Sequence, residues 1–243
     1  RVLVDGGGSP DRAYEFGRLR LVPKLADLGA VSLDAVVLTH PHPDHTRGLL
    51  AVLASLPVER VVLPRAAPRN LFLDEFEEAA ARRGLTLERF GAGERFTAAG
   101  LSFDVLHPGD GPYPRARENS GSLVLRVALA GRAAILTGDI EGLAESDLVA
   151  GGRTLAADVL KVPHHGSRTS TTAAFLSCVA PRLGLIGVGR RNHFGHPAPE
   201  VMERLRAAGV RTFRTDRDGE VSLVFSGGRI RPVFPESVAR ETP

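Results

Sequence analysis

The sequence is poor in several residue types from which proteins build special structures. Its 243 residues include one cysteine, one methionine and no tryptophan. With Cys178 alone, an intrachain disulfide is excluded, and a structural zinc site, which usually needs several thiolates, is disfavoured. Because Ala174, Phe175 and Cys178 recur at helical spacing, we expect Cys178 to lie in the core rather than to act as a catalytic thiol.

Long hydrophobic runs are also absent. No apolar stretch approaches the ~20 residues that a membrane-spanning helix requires, and no signal-peptide pattern is present. Hydrophobic residues nevertheless make up 43% of the chain, which is enough for a full core. The formal net charge of +3 permits a polyanionic partner without demanding one.

A group of histidines follows the apolar run at residues 34–38, which is predicted to be a buried strand. His40 and His42 are two positions apart, so their side chains point the same way in an extended segment. Pro41 and Pro43 resist helix formation at this point. The spacing therefore predicts two imidazoles on one side of a loop.

Asp44 and His45 come next, where the following helix is predicted to begin. The loop can therefore offer one pair of ligands to one metal ion and a second pair to another. Imidazole and carboxylate groups suit Zn²⁺, Mn²⁺ or Fe²⁺. The alternative is a polar loop that is rich in histidine by chance.

This His-x-His-x-Asp-His pattern after a hydrophobic strand resembles the metal-binding signature of the metallo-β-lactamase superfamily. The resemblance implies an αββα sandwich, in which two mixed sheets pack face to face and helices flank them. The order of predicted strands and helices alone indicates only a mixed α/β (α+β) class. In the superfamily an Asp-Gly pair supports the metal loop, so Asp5 is expected to support the ligands rather than to bind metal.

A further candidate ligand, Asp139, follows the apolar strand predicted at residues 132–136. A carboxylate has two oxygens and can bridge two cations, and the superfamily places its bridging aspartate at such a Thr-Gly-Asp sequence. The alternative is that Asp139 caps the helix predicted from about residue 142.

Two adjacent histidines, His164 and His165, follow the strand predicted at residues 157–162. Neighbouring side chains at a strand end point in different directions, so both need not bind metal. We assign His165 as a ligand. His164 would then face the substrate and give a proton or a hydrogen bond to a phosphate oxygen. The alternative is a pair of ordinary loop histidines.

The last histidines precede the helix predicted at residues 199–208. His196 is assigned as a ligand and His193 as its neighbour, whereas His107 is interpreted as an ordinary loop histidine. Superfamily members often carry another histidine for site one between the first motif and the bridging aspartate. Residues 118–122 of this chain contain none, which leaves site one short of a ligand unless His165 fills the position.

Several segments together resemble the C-terminal domain of the ComEC family of competence proteins, namely residues 38–45, 119–125, 136–139, 160–167 and 192–197. This resemblance implies a metal-dependent nuclease, a phosphodiesterase that degrades the strand not imported during uptake of transforming DNA. It also implies a longer inner-membrane protein, whose channel portion would adjoin this domain on the extracytoplasmic side. Because residues 1–5 read as a strand already under way, we expect the chain to be a fragment of such a protein.

The resemblance further implies two divalent ions, Mn²⁺ or Zn²⁺, that activate a water molecule for attack on phosphorus. His164 and Asp44 are the predicted catalytic residues. The ligands divide between two sites. Site one would take His40, His42 and His165. Site two would take Asp44, His45 and His196. Asp139 would bridge the two sites.

Polar residues beside these segments are predicted to bind the substrate. The neutral ones are Ser120, Ser122, Ser167 and Asn192. The charged ones, which would hold the DNA backbone, are Arg168, Arg190 and Arg191, with a solvated surface charge as the alternative for each. Phe194 is the one aromatic residue near them, so base stacking is expected to be minor and binding to be independent of sequence.

Two other classes of function stay open on this sequence. One is another hydrolase with the same metals, such as a lactamase, a lactonase, a thioesterase or a phosphocholine esterase. The other is a DNA-binding domain whose catalytic site has decayed. We expect a soluble, monomeric domain over residues 1–234 and a frayed tail over residues 235–243. Hairpins are predicted between residues 122–129 and 132–136, and between residues 210–213 and 220–225 across Asp218-Gly219.

Overall fold

The structure, a computed structural model, describes residues 1–9, 16–109 and 115–234. It divides into two compact units, which comprise Arg1–Val124 and Leu125–Pro243. The frayed tail predicted at residues 235–243 lies outside the described residues. No helix in the described part of the chain is long and apolar enough to cross a membrane.

The first unit contains a sheet of four strands in the order β1-β2-β3-β4. The strands are β1 (Val2–Val4), β2 (Ala35–Val37), β3 (Val61–Pro64) and β4 (Leu87–Phe90). All neighbouring strands are parallel. Every residue of β2 and β3 is buried, as expected for a parallel sheet that is covered on both faces.

Three α-helices accompany this sheet: α1 (Val22–Asp27), α2 (Pro43–Ser55) and α3 (Leu71–Arg82). A short π-helical segment, Gly17–Leu21, precedes α1 and was not predicted. Helix α2 begins with Pro43, whose fixed backbone angle suits the first helical position. Leu38, Leu49, Leu63 and Phe76 are buried in one hydrophobic cluster, so these helices and strands share a core.

An antiparallel hairpin completes the first unit. It consists of β5 (Arg95–Ala98) and β6 (Leu101–His107), and a 3-10 helix, Arg115–Gly121, follows. Strand β5 was not predicted. His107, interpreted from sequence as a loop histidine, ends β6 and is only 3% exposed. Its Nδ1 atom lies 3.0 Å from the carbonyl oxygen of Ser122, which corrects that interpretation.

In the second unit, strands run in the order β11-β10-β9-β8-β7. Their bounds are Val124–Leu129 (β7), Arg132–Leu136 (β8), Val159–Lys161 (β9), Leu183–Ile186 (β10) and Arg211–Arg214 (β11). Strands β7 and β8 form the predicted antiparallel hairpin, whereas β8 to β11 are mutually parallel. The carboxyl ends of β8, β9 and β10 therefore meet at one edge of the sheet.

Four helices accompany these strands: α4 (Gly142–Ala150), α5 (Ala173–Val179), α6 (Pro199–Ala207) and α7 (Thr215–Asp218). Thr172 caps α5, because its hydroxyl accepts a hydrogen bond from the Phe175 N–H. Phe175 is fully buried, but Cys178 on the same helix is exposed, so its predicted core position was wrong.

The predicted closing hairpin was also wrong. Strand β11 pairs with β10 in parallel, and residues Thr215–Asp218 form a short helix instead of a turn between antiparallel strands. The last hairpin pairs β12 (Ser222–Ser226) with β13 (Arg229–Val233). Its turn is Gly227-Gly228, where both glycines have positive φ angles.

Candidate metal centre

The histidine loop leaves the buried strand β2 and enters α2. The helix starts at Pro43, so Asp44 and His45 lie in its first turn, as the sequence predicted. The ring centroid of His40 lies 4.6 Å from that of His42 and 4.1 Å from that of His45. Three imidazoles of the predicted ligand set are therefore brought together within the first unit.

Asp5 supports two of these histidines from the end of β1. Its Oδ1 atom accepts a hydrogen bond from the Thr39 N–H, and its Oδ2 atom accepts one from the Thr39 hydroxyl, both at 2.8 Å. The Nδ1 atom of His45 lies 2.7 Å from the same Oδ2 atom. A carboxylate can only accept here, so His45 carries its proton on Nδ1 and its lone pair on Nε2.

The same argument applies to His40. Because the Thr39 hydroxyl donates its proton to Asp5, it accepts from His40 Nδ1, which lies 3.1 Å away. The lone pair of His40 is then on Nε2. His40 and His45 are both buried, so few other ring orientations are available to them. Asp5 thus contacts His45 directly and His40 through Thr39, and its support of metal ligands stays a prediction.

The structure adds a residue that the sequence reasoning missed. Glu118 lies beside His42, with its Oε2 atom 3.0 Å from His42 Nε2. The side-chain amide of Asn70 donates to that same Glu118 oxygen at 3.1 Å and to the carbonyl oxygen of Pro41 at 3.0 Å. His42 therefore carries its proton on Nε2, and its lone pair is on Nδ1. The segment that lacked a histidine thus supplies a carboxylate next to one.

Close glycine contacts fix the first helical turn against the end of β1. The Gly6 N–H donates to the carbonyl oxygen of His45 at 2.8 Å, and the Gly48 N–H donates to that of Gly7 at 2.9 Å. A Cβ atom on Gly48 would lie 1.9 Å from the Gly6 oxygen, a distance too short for any residue other than glycine. Glycine at both positions therefore allows the contact that delivers Asp5 to His45.

In the second unit, candidate residues lie at the edge where β8, β9 and β10 end. Asp139 follows β8 and is 2% exposed, and its Oδ2 atom lies 3.1 Å from His165 Nε2. The Nδ1 atom of His165 lies 2.6 Å from the carbonyl oxygen of Gly187, which follows β10. A carbonyl oxygen only accepts, so the lone pair of His165 is on Nε2, the atom that faces Asp139.

Asp139 does not cap the following helix. Helix α4 begins at Gly142 and its N-cap position is Glu141, so the alternative interpretation of Asp139 is excluded. Lys161 lies on the other side of this carboxylate, with its Nζ atom 3.5 Å from Asp139 Oδ1 and 3.0 Å from the carbonyl oxygen of Gly138. Asp139 is therefore buried between the imidazole of His165 and the ammonium group of Lys161.

His164 and His165 both have left-handed backbone conformations, with φ angles of 47° and 53°. Non-glycine residues rarely adopt this conformation, and it costs roughly 1–2 kcal/mol per residue. The turn directs the two rings apart, with centroids 6.4 Å from one another. His164 Nδ1 lies 3.2 Å from Glu141 Oε1, whereas His165 faces Asp139. The two histidines therefore have different surroundings, as the sequence analysis expected.

His196 lies in the loop after β10, and its ring centroid is 5.7 Å from that of His164. The His196-Pro197 peptide bond is cis. A Cβ atom on Gly166 would lie 2.5 Å from Pro197 Cβ, so a glycine lets the two histidine loops approach. Burial lowers the pKa of His196 below its ordinary value, and positive charge on His164 and His165 lowers it further. The neutral ring, which is the form that binds metal, is thereby favoured.

The predicted substrate-binding residues differ in accessibility. Ser120, Ser122 and Ser167 are buried, whereas Arg168 is exposed. The side chain of Asn192 donates to the carbonyl oxygens of Gly189 and His196. Contact of these residues with a phosphate stays a prediction.

The donor set fits divalent metal ions. In metal sites a ligating histidine usually donates its other ring N–H to a carboxylate or a backbone carbonyl, which fixes the ring. Here the acceptor is Asp5 for His45, Glu118 for His42 and the Gly187 carbonyl for His165. Each ring then presents one lone pair, and Asp44 and Asp139 add carboxylate oxygens, a combination that suits zinc or manganese.

Comparison with known proteins identifies the family of this chain. The sequence pattern of the metallo-β-lactamase superfamily matches residues 1–190. ComE operon protein 3 of Bacillus subtilis (strain 168) is 33% identical over 231 residues, which cover 91% of this chain and 30% of that protein. Competence protein ComA of Neisseria gonorrhoeae is 32% identical over 212 residues, which cover 87% of this chain and 28% of that protein. The predicted resemblance to competence proteins is thus confirmed.

The chain spans less than a third of the length of these two relatives. Among solved structures, the metallo-β-lactamase fold protein YhfI from Bacillus subtilis aligns with a TM-score of 0.53 and 15% identity. The alignment covers 96% of this chain and 86% of that chain. At this identity the likeness concerns the fold alone, and it confirms the predicted class, a mixed α/β fold with several sheets and flanking helices.

Proposed function

The chain belongs to the metallo-β-lactamase superfamily, and from this premise we propose that it is a metal-dependent phosphodiesterase that hydrolyses DNA. The observation that carries the proposal is that three candidate imidazole ligands are each oriented by an acceptor at the other ring nitrogen. The competence relatives favour DNA as the substrate over the other substrates of this superfamily.

The proposed metal ligands are those that the resemblance implies. One ion would be held by His40, His42 and His165. The other would be held by Asp44, His45 and His196, with Asp139 as the bridging ligand. Two divalent ions, when bound, would supply Lewis acidity toward the phosphate and a nucleophilic water at neutral pH. Mn²⁺ and Zn²⁺ both suit this donor set.

The proposed roles of the other residues follow from their surroundings. With its ring protonated on both nitrogens, His164 would give the Nε2 proton to the leaving oxygen and become neutral, while Glu141 beside Nδ1 would hold the ring. Lys161 would place a positive charge beside Asp139. Arg168, Arg190 and Arg191 are exposed and would bind phosphates of the DNA backbone. Neutral hydrogen bonds to the phosphate would come from Ser120, Ser122, Ser167 and Asn192.

In the whole protein, we propose that this domain degrades the strand that is not imported during DNA uptake. It would act beside a membrane channel that belongs to the same longer polypeptide, on the extracytoplasmic side of the inner membrane. Similarity to competence protein ComA supports the role in DNA uptake. The chain spans less than a third of its relatives, which supports a longer polypeptide.

Cleavage of a labelled oligonucleotide tests the proposal. The purified chain is stripped of metal with a chelator, and Mn²⁺ or Zn²⁺ is then added separately. We expect cleavage only with added metal. Asp44→Ala should abolish it, whereas Asp147→Ala, which removes an exposed aspartate on α4, should leave it unchanged. Retained cleavage in the Asp44→Ala variant would contradict the assignment of that ligand.

Two further results would overturn the proposal. Metal analysis that shows bound ions without cleavage by either ion would assign the chain to another class within the superfamily, which nitrocefin and a thioester substrate can identify. The affinity for DNA should also fall steeply as salt is added, because each bound phosphate releases counterions. A flat salt response would exclude the proposed contacts of the arginines with the DNA backbone.

A further inference from the structure

The loop between β10 and α6 carries the most exposed large apolar side chain in the described part of the protein. Phe194 is 83% exposed. Phenylalanine side chains are usually buried, because their apolar surface is large. A single exposed ring is not by itself a site, so the surroundings of Phe194 decide what it can do.

The first of these surroundings is a loop closed by hydrogen bonds. The Asn192 side chain donates from Nδ2 to the carbonyl oxygens of Gly189 at 3.2 Å and His196 at 3.0 Å. Its Oδ1 atom accepts from the His196 N–H at 2.8 Å. One side chain therefore closes the loop on both sides of Phe194. A ring presented by such a loop loses little conformational freedom when a ligand binds it.

The second is a stacked partner. The ring of Phe194 lies nearly parallel to that of His196, with an interplanar angle of 17° and centroids 5.8 Å apart. One face of the phenyl ring is thus set by a candidate metal ligand, while most of the ring stays exposed. A flat ligand can extend such a stack, and it would then lie beside the predicted reaction centre.

The third is positive charge. Arg190 and Arg191 belong to the same loop and are exposed. Within residues 1–9, 16–109 and 115–234, neither arginine forms an ion pair. Two cationic side chains beside an exposed aromatic ring match the chemistry of a nucleotide, in which a flat base adjoins an anionic phosphate.

We infer that Phe194 is a stacking platform for an unpaired base, and that the preferred substrate is single-stranded DNA. This inference rests on the proposed function, because it takes a DNA strand as the ligand. Base faces are hidden inside a duplex, so a platform of this kind selects strands whose bases are exposed. Stacking was expected to be minor because Phe194 is the one aromatic residue near the predicted segments, but one ring in this position is sufficient for one base.

Tryptophan fluorescence gives a direct test, because the chain has no tryptophan. In the Phe194→Trp variant, a single-stranded oligonucleotide should quench the emission, since a base would stack on the indole. An abasic oligonucleotide of equal length and charge should quench it much less. Equal quenching by the two would overturn the inference, because it would report phosphate binding alone.

Affinity measurements provide a second test with a matched control. Phe194→Ala should weaken binding of single-stranded DNA about 5-fold to 100-fold, the range expected for loss of one base–aromatic stack. It should leave binding of the abasic strand and of a blunt duplex unchanged. Val31→Ala alters another apolar side chain with 78% exposure, and it should change none of these affinities. An unchanged affinity of the Phe194→Ala variant for single-stranded DNA would overturn the inference.

A small substrate separates this inference from the proposed function. Hydrolysis of bis(p-nitrophenyl) phosphate needs the reaction centre but offers no base. If Phe194→Ala raises KM for single-stranded DNA while this hydrolysis is retained, the platform is supported. If the wild-type chain hydrolyses neither phosphodiester and yet binds single-stranded DNA through Phe194, the proposed function fails and the platform stands.

Discussion

The Nε2 atom of His42 lies 3.0 Å from the Oε2 atom of Glu118, and Asn70 donates a hydrogen bond to the same carboxylate oxygen. This contact determines which nitrogen of His42 carries the lone pair. It also shows how residues 118–122, which contain no histidine, can still contribute to the candidate site. Glu118 is a positioning residue, since it acts on the predicted metal through the ring of His42.

Removal of the Glu118 carboxylate should therefore weaken metal binding. We expect Glu118→Ala to lower the affinity for Zn²⁺ or Mn²⁺ about 10-fold to 100-fold, the usual effect of losing a group that orients a metal-ligating histidine. Glu118→Gln keeps an acceptor oxygen and should lose less. Competition with a chromophoric chelator measures the affinity. Equal affinities in all three proteins would show that the contact does not orient His42.

The left-handed backbone at His164 predicts that replacement by glycine gives a more stable protein than replacement by alanine, although both replacements remove activity. Glycine adopts this conformation without steric cost, so His164→Gly should unfold with a free energy about 1 kcal/mol higher than that of His164→Ala. Both variants lack the imidazole and should both lose cleavage. Urea titrations of the two variants measure the difference. His193 has no positive φ angle, so His193→Gly should gain nothing over His193→Ala.

The buried Glu145 predicts a pH dependence of stability. Its carboxylate accepts hydrogen bonds from the N–H groups of Thr171 and Thr172, but burial raises its pKa above the ordinary value of 4.5. A raised pKa means that the folded state binds the proton more tightly than the unfolded state. The contribution of Glu145 to stability is therefore fully present below pH 4.5 and is lost as the pH rises through the raised pKa.

Unfolding titrations between pH 4 and pH 8 check this sign. The free energy of unfolding of the wild type, relative to that of Glu145→Gln, should fall as the pH rises. Glu203 offers a control of opposite sign, because Arg206 lowers its pKa and its stabilising contribution is lost as the pH falls. The change in stability with pH due to Glu203 should be small, since Glu203 and Arg206 form an exposed ion pair. A relative stability that rises with pH would contradict the prediction for Glu145.

The contact between Gly48 and Gly6 predicts a large local cost of adding one methyl group. An alanine is ordinarily favoured over glycine within a helix by about 1 kcal/mol. At position 48 the added Cβ atom would collide with the Gly6 oxygen, so we expect Gly48→Ala to be destabilised by about 3 kcal/mol. Thermal and urea unfolding measure this. Gly189→Ala meets no atom within 4 Å and should unfold as the wild type does.

The sequence was sufficient for the parts of the site that are local. Residues 40–45 are contiguous, so their spacing fixed both the shared direction of His40 and His42 and the start of α2. Asp139 and His165 could be found because each follows an apolar strand. Glu118 could not, because it lies 76 residues from His42 and surface glutamates are common. The one available indication was that Glu118 lies in the segment where superfamily members often carry a histidine and this chain does not.

Errors in the fold arose where a local pattern competed with a distant pairing. Asp218-Gly219 is a good turn sequence, but β11 gains parallel hydrogen bonds with β10, and the chain reverses later at Gly227-Gly228. Cys178 was misplaced because α5 has only seven residues, which is too short for helical spacing to define a buried face. In both cases tertiary contacts outweighed local preference.

The carboxylate of Asp5 has a practical consequence for anyone who expresses pieces of this protein. All the predicted metal ligands lie beyond residue 39, so a domain boundary drawn from the histidines alone would discard β1. A piece that begins after Asp5 would retain every predicted ligand and nearly all of the core, yet the ring of His45 would lose the acceptor that orients it. The Thr39 hydroxyl, which accepts from His40, would also lose its own acceptor. Poor metal binding by such a piece would then result from the loss of Asp5 and would not reflect the metal affinity of the longer chain.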